Sequence, residues 1–237
     1  MILKAWLKFF RVVNLPTVPG DVLVGVAAAV CGVARAGGAA SVSALSVVAA
    51  CAAGVFLYAF GLADNDIVGA SVDTGRPIPD GEISLGAARL ARGLCLFAAL
   101  VAGAAVDLPP AWWVTAFALA VAVVVYNRTK SCVLMGLCRG LNVACGGAVA
   151  LASCASLSVL VCAAVWTLYI TVVTMYSLGE ETDPARKRRV GFLIGGIVYL
   201  QLAALLFFAV KPLLIAGGVL LIVLRTMRRL LPKVSAS

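Results

Sequence analysis

Eight apolar runs, each long enough to cross a bilayer, take up most of this chain: near residues 15–34, 42–63, 84–106, 110–126, 132–152, 156–178, 190–210 and 212–231. A bilayer core needs about 20 apolar residues per helical crossing. Lipid offers backbone N–H and C=O groups no partner, so each crossing must satisfy its own as a helix. The expected fold class is therefore all-α, a polytopic membrane bundle of about eight transmembrane helices, with residues 1–237 forming one membrane domain. At 63% hydrophobic residues, 12% charged residues and a mean hydropathy of +1.10, there is no room for a second folded unit.

The net charge of +9 sorts by side of the membrane. With the N-terminus in the cytoplasm, 17 of the 19 Lys and Arg residues fall inside, and only Arg35 and Lys211 fall outside. That is the positive-inside asymmetry of a membrane protein. The charge reports topology and attraction for anionic lipid heads, and nucleic acid is excluded as a partner. Three charged stretches, 64–84, 127–131 and 179–189, then share the cytoplasmic face. The expected location is the bacterial cytoplasmic membrane, with the N-terminus and the site loops inside. Within residues 1–12, Lys4, Lys8 and Arg11 recur at i, i+4 and i+7, the pattern of an interfacial amphipathic helix that orients the domain and does no chemistry.

Eight cysteines show no CxxC spacing, and the chain has no histidine. A zinc site or a histidine-based catalytic dyad is excluded. Cysteines inside apolar runs serve as small hydrophobes.

Five of the ten acidic residues lie between Asp64 and Glu82, where an apolar run ends. Ionisable groups are costly beside a bilayer and usually mark a site. Carboxylates are hard oxygen ligands, and Mg²⁺ typically takes one or two of them together with substrate phosphates. The stretch reads as a metal–phosphate site at the membrane surface. Tyr58 and Phe60, just before it, suit the wall of a pocket for a hydrophobic substrate. Ser84 is a candidate cap for the next helix, and Arg89 and Arg92 follow on one face, placed for lipid phosphates or for the carboxylates. Asn14 and Asp21, seven apart, share a face of the first span. Arg139 and Asn142 lie at least two turns inside the fifth span, where a lone arginine should face the bundle interior. Gly136 and Gly140 permit close helix approach beside them. A second acidic stretch follows Tyr176, with Glu180 and Asp183 at i, i+3 able to hold a second metal. The repeated order of span, acidic loop and span suggests two four-helix halves, each giving carboxylates to one cavity.

Asn65-Asp66-x-x-Gly69-x-x-x-Asp73 followed by Arg76-Pro77-Ile78-Pro79-x-Gly81-x-Ile83-Ser84 resembles the first aspartate motif of the UbiA superfamily of intramembrane prenyltransferases, N-D-x-x-D-x-x-x-D and then R-P-L-x-x-G-x-V-S/T. Tyr126-x-x-x-Lys130 is similar to the family's Y-x-x-x-K element, and Tyr176-x-x-x-Glu180 stands where its second aspartate motif begins. Asn14 resembles the family's first-helix asparagine. The run from Gly136 to Asn142 looks more like the EboC-type branch than the quinone enzymes. The resemblance spans about residues 10 to 210. It implies a helical bundle around a lipid-open central cavity and transfer of an isoprenoid chain from a polyprenyl diphosphate to an aromatic or other lipophilic acceptor. Asp66 and Asp73, with Asp64 or Asn65, would hold Mg²⁺ against the diphosphate; Arg76 and Lys130 would neutralise its oxygens; Glu180 and Asp183 would hold a second Mg²⁺. Asn14, Asp21, Tyr126, Arg139, Asn142 and Tyr176 would bind the substrates. The chain departs from the pattern at Gly69, which replaces the middle aspartate, and at Pro184, where the second motif continues with aspartate. The segment between Asp73 and Arg76 is shorter than usual, and the eight spans are one fewer than the family's nine.

Two functions of different class fit these residues. One is a Mg²⁺-dependent prenyltransferase. The other is a non-catalytic isoprenoid-binding or transport protein on the same scaffold. A CDP-alcohol phosphatidyltransferase is excluded: Asp80-Gly81 and Ala87-Ala88-Arg89 lie too far apart for its motif, and the downstream aspartates are missing. A channel does not suit carboxylates gathered on one face.

Overall fold

The computed structural model describes residues 2–39, 42–151, 156–179 and 183–230. A short helix α1 (Ile2–Phe9) and a 3₁₀ turn (Val12–Asn14) lead into α2 (Thr17–Arg35), α3 (Ala44–Val68), α4 (Leu85–Ala104), α5 (Pro110–Thr129), α6 (Cys132–Ala150), α7 (Leu157–Ser177), α8 (Pro184–Phe208) and α9 (Lys211–Leu230). There is no strand among the described residues, and seven of these helical segments, from Val12–Arg35 through Pro184–Phe208, are long and apolar enough to cross a membrane. The eighth expected crossing is helix α9, whose last six residues carry Arg225, Arg228 and Arg229.

Local chemistry sets several boundaries. The Ser84 hydroxyl accepts the Ala87 N–H at 3.2 Å and starts α4. Ser43 does the same for α3 through the Ser46 N–H at 3.0 Å. Such caps satisfy amides that the first turn leaves open. At the start of α2, Pro16 sits at the N-cap and Pro19 in the first turn, where a missing N–H costs nothing.

α2 runs through the middle of the bundle. Val18, Val22, Val24, Ala27 and Ala28 are buried, and its sides meet α3, α6, α7, α8 and α9. It approaches α6 backbone to backbone: a β-carbon at Gly25 would strike the Val143 carbonyl, and one at Gly146 would strike that of Val22. Gly136 and Gly140 open a similar approach to Thr167 and Ala163 of α7. Without a hydrophobic force between helices in lipid, close packing of small residues is what holds such contacts. The outer surface is greasy in turn. Phe97, Phe117, Leu168 and Phe207 are each more than 60% exposed, as lipid-facing positions should be.

One boundary differs from the sequence expectation. The second apolar run reads as ending at residue 63, but α3 continues to Val68, so Asp64, Asn65 and Asp66 are its last turns. Their polar groups find donors from α4, α5 and the N-terminal segment, and the helix persists until Gly69. α1 packs against this end of α3: Ala5 and Phe9 join Ala63, Ile83 and Ala88 in one apolar cluster.

Candidate active site

Six residues of α3, Gly54, Leu57, Tyr58, Gly61, Leu62 and Asn65, recur at helical spacing and form one wall of a cavity of about 320 Å³. Leu119, Val123, Tyr126 and Asn127 of α5 face them, Met135, Cys138, Arg139 and Asn142 of α6 close the far side, and Val18 comes from α2. Arg11, Asp73, Arg76 and Lys130 complete the end at which α3 stops. The cavity is thus charged and polar at its mouth, apolar along its middle, and polar again at its floor, where Arg139 and Asn142 stand.

The mouth is electrostatically coupled. Asp66 is buried, and its Oδ1 receives Arg11 Nη2 at 3.5 Å and Asn65 Nδ2 at 3.4 Å. Its Oδ2 is buried without a hydrogen-bond partner among the described residues. The charges of Arg76 and Asp73 also act on it. Lys130 ends α5 in a left-handed conformation, φ 54°, which turns its ammonium towards the mouth, where Nζ donates to Asn65 Oδ1. The same Nζ lies 5.8 Å from the Tyr126 ring centroid. Partial burial pulls the Lys130 ammonium below the usual lysine range, and Asp73 opposes the shift only in part. Arg11 is also left-handed, φ 41°. A non-glycine residue in this region is uncommon and costs energy, and here the conformation accompanies the turn from α1 into the bundle that brings the guanidinium to Asp66.

Asp64 does not join this group. Side chains two apart on a helix point in widely different directions, and Asp64 turns away from the cavity. Its Oδ1 accepts Arg92 Nη1 at 2.9 Å; its Oδ2 accepts Asn127 Nδ2 at 2.9 Å and lies 3.6 Å from Arg128 Nη1. With both oxygens engaged, Asp64 is a buried tie between α3, α4 and α5 and corrects the expectation of a metal ligand there. Arg92 accordingly pairs with a carboxylate.

Asp21 lies deeper in the bundle, wholly buried, and four donors converge on it. Trp166 Nε1 at 2.8 Å and Gln201 Nε2 at 2.7 Å reach Oδ1; Arg139 Nε at 3.1 Å and Asn142 Nδ2 at 3.2 Å reach Oδ2. Arg139 Nη2 also donates to Thr17. A buried carboxylate so satisfied is a structural ion pair. Asp21 is not among the residues lining the cavity; it aims Arg139 and Asn142, which are. Asn14 likewise lies outside the lining, in the turn after Arg11, where its carbonyl accepts the Thr17 hydroxyl at 2.7 Å.

The second acidic stretch stands apart. Asp183 is exposed, and its Oδ1 accepts the N–H groups of Ala185 at 2.8 Å and Arg186 at 3.1 Å, capping α8. These amides, that of Arg186 foremost, hold its carboxyl below the usual aspartate range. Tyr176 takes Arg189 Nη1 on its hydroxyl at 3.4 Å and Arg186 over its ring at 5.5 Å. Neither residue lines the cavity. The structure thus does not bring Asp183 to Asp66 and Asp73, and the expected role for Glu180 falls outside the described residues. No group of three carboxylate or thiol side chains close enough to hold a metal occurs among the described residues.

Comparison with solved structures identifies the architecture. The chain is similar over 96% of its length to 88% of a structure of digeranylgeranylglyceryl phosphate synthase, with a TM-score of 0.61 and 18% identity. It is similar over 97% of its length to 87% of a UbiA homologue from Archaeoglobus fulgidus bound to GPP and Mg²⁺, with a TM-score of 0.59 and 14% identity. The same protein bound to DMAPP and Mg²⁺ gives a TM-score of 0.60 at 14% identity. The chain has the UbiA fold. No protein-family model and no curated protein sequence matches it.

Within this UbiA-type bundle, Arg11 and Asn127 are the charged and amide residues of the cavity lining that the sequence reading leaves out of the site. In the sequence Arg11 reads as part of the basic face of an interfacial helix, which masks it as a topology signal, whereas α1 ends at Phe9. The clue is its place three residues before the Asn14-Leu15-Pro16 break, where the chain must turn from the surface into the bundle. Asn127 hides between Tyr126 and Arg128, but as a polar residue two positions before the end of α5 it was readable as a partner for a neighbouring carboxylate.

Proposed function

We propose that this chain is an intramembrane transferase that moves an isoprenoid chain from a prenyl diphosphate to a lipophilic acceptor. The observation that carries the reading is the cavity's polarity: Arg11, Arg76 and Lys130 gather at one end beside Asn65 and Asp73, and an apolar sleeve of Leu57, Leu62, Leu119 and Val123 follows. A diphosphate head needs the first, and a hydrocarbon chain needs the second. Guanidinium and ammonium groups grip phosphate oxygens through charge-assisted hydrogen bonds, and the sleeve keeps water from the reacting carbon.

Two hard oxygen donors at the mouth suit Mg²⁺. Asp66 Oδ2 is buried and lacks a hydrogen-bond partner among the described residues, and Asp73 lines the cavity. Two carboxylates fall short of a full coordination shell, and Mg²⁺ ordinarily completes its shell with substrate phosphates and water. In this reading Asp66 and Asp73 hold the ion and Asn65 supports it, while Arg76, Lys130 and Arg11 bind the diphosphate. When bound, Mg²⁺ supplies positive charge that helps the diphosphate leave. Tyr126 and Tyr58 flank the head of the chain. Fold likeness to a UbiA homologue bound to GPP or DMAPP together with Mg²⁺ supports the same reading.

The test is direct. Purified protein is incubated with labelled geranylgeranyl diphosphate, Mg²⁺ and a panel of lipophilic acceptors. Release of diphosphate with transfer of label, lost in Asp73→Ala, supports the transferase. Tight binding with no turnover on any acceptor would instead make the chain an isoprenoid-binding protein.

A further inference from the structure

We infer that a second hollow, the groove between α7 and α8, binds one glycerophospholipid, with its phosphate on Arg35 and one acyl chain laid between the helices. The groove encloses about 420 Å³ and shares no lining residue with the cavity described above. Leu157, Val161 and Val165 of α7 and Leu200, Ala204 and Phe207 of α8 line it at helical spacing, and Trp166 closes its inner end. Leu157, Val161, Val165 and Phe207 are exposed, so the groove opens sideways to the membrane. Near its inner end the Tyr169 hydroxyl donates to the Leu193 carbonyl at 2.7 Å and ties α7 to α8. Trp166 turns its one donor, Nε1, away to Asp21 at 2.8 Å, which leaves the inner end apolar.

The outer end is different. Arg35 is the one charged residue of the lining and the last residue of α2, at the end of the bundle opposite the charged mouth. Its guanidinium lies over the Phe207 ring, 5.9 Å from the centroid. Contact with a ring face leaves N–H donors of the guanidinium for an anion. None of the ion pairs among the described residues includes Arg35. Ser158 joins the lining beside it, since a β-carbon at Gly32, one turn earlier on α2, would stand 3.5 Å from the Ser158 hydroxyl. A guanidinium without a carboxylate, set at the head of an apolar groove, complements an anionic head that carries a hydrocarbon tail.

Depth selects the kind of molecule. Leu157 and Trp166 stand nine residues apart on α7, about 14 Å at 1.5 Å per residue. That is close to half of a bilayer core roughly 30 Å thick. The groove is therefore one leaflet deep, with its cation at the boundary where phospholipid phosphates lie. A helix of a second copy would cross the whole core and run on past Trp166, where Tyr169 holds α7 and α8 together.

The experiment uses the full chain in nanodiscs doped with phosphatidylglycerol that carries a diazirine on one acyl chain, or with diacylglycerol of the same chains and no phosphate. After illumination, mass spectrometry compares label on residues 157–166 and 200–208 with label around Phe97 and Phe117, which are exposed positions of α4 and α5. The groove-to-reference ratio should be about threefold or more higher for the phospholipid than for the diacylglycerol, the scale of one exposed ion pair. Arg35→Gln should bring the two ratios together, and Arg35→Lys should keep most of the difference. Ala204→Phe, which fills the groove and leaves the charge in place, should lower the phospholipid ratio; elution as a monodisperse peak checks the fold of each variant. Equal ratios in the wild type, or a difference that survives Arg35→Gln, overturns the assignment. Protection of the groove from both lipids in a chain that elutes as a dimer also overturns it, and gives this face to a second copy.

Discussion

The carboxylate of Asp73 lies where a β-carbon on Gly69 would stand. The middle aspartate of the resembled motif and the carboxylate of Asp73 thus could not both occupy this position. Loss of the one side chain makes room for the other, and Asp73 folds back over the end of α3.

Replacing Gly69 with alanine tests that arrangement. Gly69 has φ −80°, so alanine fits the backbone and the added methyl acts only by displacing Asp73. The protein should stay folded, with binding of Mg²⁺ and diphosphate weakened about tenfold or more, as for loss of one charge-assisted contact. Isothermal calorimetry with inorganic diphosphate reads the change.

Asp183 and Asp73 should separate cleanly. Asp183→Ala removes a helix cap at an exposed site and should leave binding of Mg²⁺ with diphosphate within about twofold, whereas Asp73→Ala should weaken it by tenfold or more. A large loss in Asp183→Ala would restore the second acidic stretch to the site.

Breaking the pair at the bundle's centre should cost stability. Asp21→Asn leaves Arg139 buried beside a neutral amide, and loss of one partner of a buried pair typically costs about 3–5 kcal/mol. Thermal unfolding in detergent should show a clear fall in midpoint. Arg139→Gln made together with Asp21→Asn should recover part of it.

Lys130 gives the site an alkaline limit. Its ammonium is held below the ordinary lysine value of 10.5 by burial, so the charged form is lost earlier than in a free lysine as pH rises. Diphosphate binding should weaken through a window that begins below pH 10.5, and Lys130→Arg should move that window upward. For stability the sign is opposite. The unfolded chain holds this proton more tightly, so the unfavourable contribution of Lys130 fades as pH rises through the folded value.

Arg11→Ala should both loosen the fold and weaken the mouth. It leaves the buried Oδ1 of Asp66 without its ion-pair partner, at a cost of about 1–3 kcal/mol, and Arg11→Lys should restore much of it. Denaturant titration and diphosphate binding on the same variants separate the two effects.

Much of the fold was legible because lipid imposes a strong rule: apolar runs of sufficient length must be helices, and their number and order follow. The motif resemblance to the UbiA superfamily agrees with the fold. What periodicity could not see was where polar residues at helix ends belong. Asp64 and Asp66 stand two residues apart in the sequence, yet the helix continues beneath them and sends their side chains apart, one to Arg92 and Asn127, the other to Arg11. Asp21 reads as a cavity residue from its depth in an apolar run. Its four donors come from α6, α7 and α8, and no local pattern announces such a convergence. Arg139 and Asn142 were readable because a polar pair that far inside a span must face protein.

Because Gly54, Leu57, Tyr58, Gly61, Leu62 and Asn65 are carried by the same stiff rod, the length of the wall they form belongs to one element and not to the packing of several. Breathing of the surrounding helices would change the girth of the chamber and leave the reach of this wall constant, so on the transferase reading a bound chain would be gauged by its length.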